Sequence, residues 1–207
     1  GVGVWSLAVD DQFLVVTGQE SSIPGYAYRL SGGAVAMQAD GDLFFMSALE
    51  WIGDGPGSLQ NGIFREDGSP IVTTLDYIEG LKDFGEWAIS ASSVRIDEND
   101  NILWTARSTQ FPGPDDPYGV VRSALMYNDL VLAQTGDVLA DGSIVLTPLE
   151  DRTLSAGGNW VIASIRIFDP ELDGTRKAVY RIAIPTPGSV TLGAIAGLAA
   201  MRRGRQR

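Results

Sequence analysis

Short apolar runs, rather than helical stripes, dominate the hydrophobic pattern of this 207-residue chain. Runs of four or five residues rich in β-branched and aromatic side chains alternate with Gly, Asp, Asn and Pro. Before residue 184 no helical periodicity of useful length appears. Apolar runs bounded by turn residues are typical of β-strands. The pattern therefore predicts an all-β fold.

The runs recur with a period of about 59 residues. A turn followed by a strand appears at residues 38–45, 97–104 and 155–162, with offsets of 59 and 58. A second strand marker recurs with the same period, at Leu14, Val72 and Leu132. A bulky or aromatic residue opens each unit, at Trp5, Phe64, Met126 and Tyr180. The body, residues 1–183, is therefore predicted to contain about three tandem units and the start of a fourth.

Each unit is predicted to form its own four-stranded antiparallel sheet. In the first unit the strands are expected near Val4–Leu7, Phe13–Thr17, Ala34–Met37 and Leu43–Ser47, with a short extended piece at Ala27–Leu30. Such units resemble the blades of a β-propeller, although a β-sandwich or a solenoid is an alternative. Closed propellers use about four to eight blades, so three units predict an open side near Trp5 and Tyr180. Since Gly1 is not a natural start, we expect an N-terminal truncation.

The repeated turn contains a polar residue, then a residue that tolerates positive φ, then an apolar pair. The polar position holds Gln38, Asp97 and Ser155. The position three residues later, which tolerates positive φ, holds Gly41, Asp100 and Gly158. Equivalent turns are thus expected at Asp40-Gly41, Asn99-Asp100 and Gly157-Gly158. The pattern is similar to the NxxGxxAF motif of bacterial tandem-repeat proteins with alternative C-terminal anchors. The resemblance implies a secreted or cell-surface repeat protein and no catalytic residues.

The last segment, residues 184–207, has a different pattern. Pro185 and Pro187 interrupt regular structure, Ser189 to Met201 carry no charge, and four arginines follow. Thirteen helical residues span about 20 Å, which is short against about 30 Å of hydrocarbon. The order resembles the PEP-CTERM sorting signal of exported bacterial proteins, with Thr186 where that family has glutamate. The alternative is a buried or interfacial terminal helix.

This resemblance implies how the protein is handled. The sorting signal would consist of Pro185, Thr186, Pro187, Gly188, Arg202, Arg203 and Arg205. The implied partners are a membrane-bound sorting enzyme and, transiently, the inner membrane. The implied destination is the cell surface or the extracellular space, reached after anchoring in the membrane.

Charge and composition agree with an exported body. All 26 acidic residues but only 11 of the 15 basic ones precede Ile184, and 11 minus 26 leaves the body at −15. Basic residues favour the cytoplasmic side of a membrane, which places the acidic body outside. Such acidity argues against a nucleic-acid partner. Cys and His are absent, which excludes disulfides, thiol catalysis, imidazole bases and Cys- or His-ligated metals.

Two sets of oxygen ligands are candidates for chemistry. Asp97, Asn99 and Asn101 alternate as in a calcium loop, although Ile102 replaces the sharp-turn glycine, and a hairpin turn explains them better. The loops after each fourth strand carry Glu50, Asp54, Asp115, Asp116, Asp169, Glu171 and Asp173. On equivalent blades these loops would form one acidic rim, able to bind cations or sugars or to supply paired carboxylates. The alternative is a merely solvated rim.

Two functions remain open at this stage. The favoured one is an exported repeat protein of the cell surface or matrix, with a binding or structural role and exopolysaccharide as a candidate ligand. The alternative is a propeller-type polysaccharide hydrolase that uses paired carboxylates. The first is favoured because the acids lie on loops at irregular spacings. No cofactor other than calcium is expected, and Trp51 and Trp87 are the predicted exposed contacts.

Overall fold

The structure, a computed structural model, describes residues 6–9, 12–30, 35–38, 41–54, 57–90, 94–110, 120–155 and 158–185. Several predictions fall outside these ranges. They concern the apolar helix at 189–201, the sorting-signal residues Thr186, Pro187, Gly188, Arg202, Arg203 and Arg205, the rim residues Asp115 and Asp116, and also Trp5, Asp40 and Gly157. Of the sorting signal only Pro185 is described, and it is exposed.

The described part of the chain is all-β, which confirms the predicted class. Its strands are β1 (Ser6–Val9), β2 (Gln12–Val16), β3 (Tyr26–Arg29), β4 (Val35–Met37), β5 (Leu43–Trp51), β6 (Gln60–Arg65), β7 (Pro70–Thr73), β8 (Trp87–Ile89), β9 (Arg95–Ile96), β10 (Ile102–Ser108), β11 (Ser123–Tyr127), β12 (Leu130–Gln134), β13 (Ile144–Leu154), β14 (Trp160–Asp169) and β15 (Gly174–Ala183). One 3₁₀ helix, Glu79–Phe84, lies between β7 and β8. The predicted extended piece at Ala27–Leu30 is strand β3.

The strands form four antiparallel sheets. β1 and β2 make an N-terminal hairpin; sheet I has the order β3-β5-β6-β7, sheet II the order β8-β10-β11-β12, and sheet III the order β13-β14-β15. In sheet I the short strands β3 and β4 pair with opposite ends of β5, and in sheet II β8 and β9 pair with β10 in the same way. Sheet III has one long strand, β13, in that place, with register shifts along it.

The prediction that each unit forms its own sheet is wrong. Sheet I takes β3, β4 and β5 from one unit and β6 and β7 from the next, and sheet II is divided in the same way. The reason is that neighbouring strands joined by short connections pair with one another, and β5 pairs with β6 across the predicted boundary. A sequence period identifies equivalent strands, but it does not say where one sheet ends.

The turn before each long strand has the same geometry in all three places. Gly41, Asp100 and Gly158 have positive φ values of 105°, 63° and 62°. The backbone N–H of each donates to the carbonyl three residues earlier, on Gln38, Asp97 and Ser155. Consecutive turns also touch: the Gln38 side chain donates to the Asp97 carbonyl at 3.0 Å and to Asp100 Oδ1 at 2.7 Å. We call this contact series the turn row.

Three apolar clusters lie between successive layers. One joins the N-terminal hairpin to sheet I through Val15, Phe45 and Phe64; a second joins sheets I and II through Ile63 and Trp104; a third joins sheets II and III through Leu103, Val161 and Tyr180. Adjacent residues such as Ile63 and Phe64 therefore enter different clusters. This two-sided position explains why burial is nearly continuous along β5 and β10.

Among the described residues, sheet III packs against the rest of the protein through one face only. Along β14, Val161, Ala163, Ile165 and Ile167 are buried, whereas the residues between them are half-buried or exposed. Tyr180, near which an exposed face was expected, is itself buried at 2% exposure. The exposed face is the opposite one, which carries the neighbouring Val179.

Candidate binding cleft

An open cleft of about 430 Å³ lies between sheets I and II. One wall is the start of β6 together with the end of sheet I after β7, and the other is the start of β8. The connection from β7 to β8, residues 74–86, borders the cleft and contains the 3₁₀ helix. The cleft is therefore built where two stacked sheets meet a loop, an arrangement that often positions binding residues on a rigid scaffold.

The connection that borders the cleft is longer than its counterparts. Residues 17–25 join β2 to β3, and residues 135–143 join β12 to β13, so each of those connections has nine residues. Residues 74–86 number thirteen. The additional residues belong to the segment that supplies Tyr77, Glu79 and Lys82 to the cleft and its rim.

Two aromatic side chains lie at the cleft. Tyr77 is 77% exposed, and Trp87 is half-buried against Trp104, with ring centroids 5.5 Å apart. Trp104 is fully buried, and its indole N–H donates to the Asn128 carbonyl at 2.9 Å. Because its neighbour is held in this way, Trp87 is presented to the cleft from a rigid support. Trp87 was predicted to be an exposed contact; it lines the cleft but is half-buried, since its ring packs against Trp104.

Trp51, the other predicted contact, lies elsewhere. It is half-buried and packs edge-on against Tyr26, with centroids 5.1 Å apart. Gly25, Gly53 and Gly57 approach its ring so closely that a Cβ at any of them would overlap it. Trp51 therefore fills a space between glycines beside sheet I and does not line the cleft.

The cleft also presents polar groups. The side chain of Gln60 is engaged, since its amide donates to Ser58 and its carbonyl accepts from Thr74. By contrast, the Asn61 side-chain amide forms no hydrogen bond within the described ranges. Asn61 thus offers both donors and an acceptor to a ligand. Charged groups at the cleft are Asp76, Lys82 and Glu86.

A short hydrogen-bonded chain orders the rim. The Tyr77 hydroxyl donates to Glu79 Oε2 at 2.5 Å, and Lys82 Nζ donates to Glu79 Oε1 at 2.9 Å. These bonds, first that from Tyr77 and then that from Lys82, lower the pKa of Glu79. The carboxylate therefore stays ionised near neutral pH. It is suited to holding Tyr77 in place and not to donating a proton.

The structure separates the predicted rim acids into different environments. Asp169 is buried, accepts from the Glu171 backbone N–H and pairs with Arg176 at 2.9 Å. Glu171 and Asp173 are exposed in the turn between β14 and β15. Glu50 and Asp54 are exposed at the end of β5 and beyond it. In the described part of the chain no hydrogen bond or ion pair joins the two groups, and none of these residues lines the cleft.

The residues proposed for calcium form a tight turn. Asp97 is buried, and its Oδ1 accepts from the backbone N–H groups of Asn99 and Asn101 at 2.9 and 3.0 Å. Its Oδ2 accepts from the Tyr127 hydroxyl at 2.6 Å. Burial first, and then this bond, raises the pKa of Tyr127 above its ordinary value. The contacts of Asp97 are those of the hairpin-turn alternative, in which the carboxylate caps backbone donors.

Among the residues that the structure describes, no three Asp or Glu side chains group to hold a metal ion. The same residues include no helix long and apolar enough to cross a bilayer. The chain matches no protein-family model, no curated protein and no solved structure.

Sequence reasoning missed Tyr77 and Asn61. One signal could have found Tyr77: the second unit has a longer connection than the first or third after its second strand, and insertions in one repeat often lie at the binding face. The aromatic residue in that longer connection was not singled out, because a lone exposed Tyr in a loop has no local pattern. No comparable signal marks Asn61, which lies in β6.

Proposed function

We propose that this chain is an exported repeat protein of the cell surface or matrix that acts by binding, and that the cleft takes a neutral polysaccharide. The observation that carries the proposal is that one cleft is lined by the exposed Tyr77, by Trp87 packed on Trp104, and by the Asn61 amide, which has no partner among the described residues. Aromatic rings offer rigid apolar surface to the faces of sugar rings, and amides bond to hydroxyl groups. Ligand sites typically combine a mainly apolar surface with a small number of polar groups.

The size and charge of the cleft support this ligand class. Its volume of about 430 Å³ lies in the ordinary range for small-ligand sites, about 300–1,000 Å³. An open cleft accommodates part of a chain that continues beyond both ends. The two carboxylates, Asp76 and Glu86, outnumber the single ammonium of Lys82, so an acidic sugar would meet repulsion here.

The propeller-like arrangement belongs to the same proposal. In sheets I and II, strands consecutive in sequence lie side by side, and β3 with β4, or β8 with β9, together occupy the place of one strand. Each sheet then counts as a four-stranded meander that buries its faces against its neighbours, as blades do. The turn row adds a structural repeat at the predicted offsets. Export and sorting are supported by the tail sequence and the acidic body.

Binding of soluble neutral polysaccharides, a β-glucan and a galactomannan, tests the cleft. Affinity electrophoresis should show retardation of the natural protein and at least a tenfold weaker effect for Tyr77→Ala, since about 1.4 kcal/mol corresponds to a factor of ten. Tyr77→Phe keeps the ring and should keep most of the binding. Leu172→Ala, at a side chain that is 70% exposed and outside the cleft, is the matched control.

Two results would count against the proposal. One is the absence of retardation with either polysaccharide, and the other is equal retardation of the natural protein and Tyr77→Ala. Measuring reducing ends after prolonged incubation with the same polysaccharides tests the hydrolase alternative in the same samples. We expect no release above the buffer control.

A further inference from the structure

The face of sheet III that no other described sheet packs against carries three cations and several apolar side chains. We call it the basic face and define it by Trp160, Ile162 and Arg166 of β14 and Lys177, Val179 and Arg181 of β15. Ile162 is 38% and Val179 65% exposed, and the three cations are also exposed. Five of the 11 basic residues before Ile184 lie in sheet III, although the chain as a whole has a net charge of −11.

The positions of two cations on this face reduce the stability of the fold. Arg166 lies directly opposite Lys177 on the antiparallel strands. Like charges in that position destabilise a strand pair. Neither residue forms an ion pair or a side-chain hydrogen bond within the described ranges. By contrast, Arg176 lies on the other face of β15 and pairs with Asp169 at 2.9 Å. On that face a carboxylate neutralises the cation, whereas Arg166 and Lys177 have no such partner among the described residues.

A third cation continues the row. Arg181 lies opposite Ile162, and its guanidinium lies 5.1 Å from the centre of the Trp160 ring. Lys177 and Arg181 are four residues apart on one strand, which corresponds to about 13 Å at 3.4 Å per residue. Val179 lies between them on the same face. The face thus alternates cationic and apolar positions along its length.

We propose that the basic face binds an anionic polysaccharide, a polymer of uronic acid units. Carboxylates spaced along a polymer can reach both ends of a row about 13 Å long, which one small anion cannot do. Guanidinium groups bind carboxylates with paired hydrogen bonds, and Ile162 and Val179 supply apolar surface to the sugar rings. This site is separate from the cleft, and its ligand differs in charge from that of the cleft.

The charges also argue against two other occupants. A second copy of the chain, docked on this face about a two-fold axis, would bring two identical sets of three cations together. A nucleic acid carries a dense row of phosphates, which the strongly acidic remainder of the protein repels. A polyuronate has fewer charges for its length and can keep to the one basic surface.

Polygalacturonate and its fully methyl-esterified form test the proposal on the full chain, because the two share a backbone and differ in the carboxylate charge. In the Tyr77→Ala background, which removes the contribution of the cleft to binding of a neutral polysaccharide, the protein should bind the acid and not the ester. Binding of the acid should weaken steeply in 0.5 M salt, where the screening length is only about 4 Å. The double variant Arg166→Gln, Lys177→Gln should bind the acid at least tenfold more weakly. Its control is Arg95→Gln, Arg107→Gln, which removes two exposed cations from sheet II and should bind as the natural protein does.

A further variant separates binding from stability. Lys177→Glu places opposite charges across from each other, so the melting temperature should rise by about 1–4 °C while binding to polygalacturonate is lost. Equal loss in the control variant, equal binding of the methyl ester, or equally tight binding of duplex DNA or anionic lipid vesicles would overturn the proposal. So would Lys177→Glu protein that retains binding. A fall in its melting temperature would show that the like-charge pair carries no cost, which also contradicts the argument.

Discussion

Sheets II and III contain equivalent strands in different surroundings. In sheet II, Leu103 enters the cluster shared with sheet III, and Trp104 enters the cluster shared with sheet I, so both are completely buried. Their counterparts one period later are Val161, which is completely buried, and Ile162, which is 38% exposed. Positions one sequence period apart therefore hold a core aromatic residue in one sheet and a surface aliphatic residue in the next.

This difference is visible in the burial of the two strands. Ile102 to Ala106 of β10 are buried without interruption, because neighbours cover both faces of the strand, whereas buried and less buried positions alternate along β14. Side chains on the exposed face of such a strand do not have to be apolar, because they do not pack in the core. In sheet III those positions hold the basic face.

The largest difference in stability between the two sheets is expected from truncation of these side chains. Trp104→Ala should reduce the free energy of unfolding by about 3–5 kcal/mol, because it opens a cavity between sheets I and II. Ile162→Ala should cost less than about 1 kcal/mol, because its side chain is partly in water already. Urea denaturation measures both. Val161→Ala is the control, and it should cost more than Ile162→Ala although it removes fewer atoms.

The junction between the two sheets can be tested at the turn row. Gly158 has positive φ, and a Cβ there would lie 2.2 Å from Asp97 Oδ2 and 2.6 Å from the Tyr127 hydroxyl. Gly158→Ala should therefore cost about 2–4 kcal/mol, from both backbone strain and overlap. Gly41→Ala shares the positive φ but meets open space, so about 1–2 kcal/mol is expected. Equal costs, measured by urea denaturation, would mean that the third turn does not contact the second.

The contacts between sheets I and II and those between sheets II and III should contribute to stability with opposite dependence on pH. Asp100, at the junction of sheets I and II, has its pKa lowered by the Gln38 amide and then by Arg65. Its stabilising contribution is present above the ordinary pKa of 3.8 and is lost as the pH falls through the lowered value. Asp137, between β12 and β13, has its pKa raised by burial. Its favourable contribution is present below 3.8 and is lost as the pH rises through the raised value.

The measurement is the unfolding free energy of Asp100→Asn and Asp137→Asn from pH 3 to pH 7. Asp100→Asn should be less stable than the natural protein at neutral pH, with the deficit shrinking in acid. Asp137→Asn should show the opposite trend, with a relative gain at neutral pH that disappears in acid. Parallel trends in the two variants would contradict the assignment of opposite environments.

The smallest effect on stability is expected from the tail. Ile184 is buried in the cluster between sheets II and III, and its N–H donates to Asn159, whereas Pro185 is exposed. A chain ending at Ile184 should therefore melt within about 1–2 °C of the full chain. If the tail is a sorting signal, cell fractionation should show the full chain held at the membrane and the shortened one released. A shortened chain that unfolds would identify the tail as a core helix instead.

Local chemistry explains which parts of the fold were predictable. The turns before β5, β10 and β14 could be located because Gly41, Asp100 and Gly158 tolerate positive φ and determine the turn by themselves. The division into sheets could not be predicted, because the pairing of β5 with β6 depends on both strands and on their burial between two neighbours. Periodicity alone carries no information about that boundary.

The same distinction applies to the sites. Trp87 was singled out as an exposed contact because a Trp outside the repeat-equivalent strand positions is conspicuous in sequence, yet it is half-buried against Trp104. Tyr77 and Asn61 become a site only through the gap between two sheets, which no local pattern encodes. The expected gathering of rim acids relied on equivalent loops alone, whereas Asp169 is occupied by Arg176 inside its own sheet. The basic face was missed because Arg166 and Lys177 meet only through strand register.

Because each of sheets I and II contains strands from two consecutive units, the units should not unfold independently. Because sheet I is completed by β6 and β7 of the following unit, and sheet II by β11 and β12 of the one after, no 59-residue unit can open without unpairing strands in two sheets. Arrays of self-contained repeats melt piecemeal when the coupling between neighbours is weak. Here neighbouring units share their hydrogen-bonded ladders, so the described sheets should lose amide protection together, in a single cooperative transition.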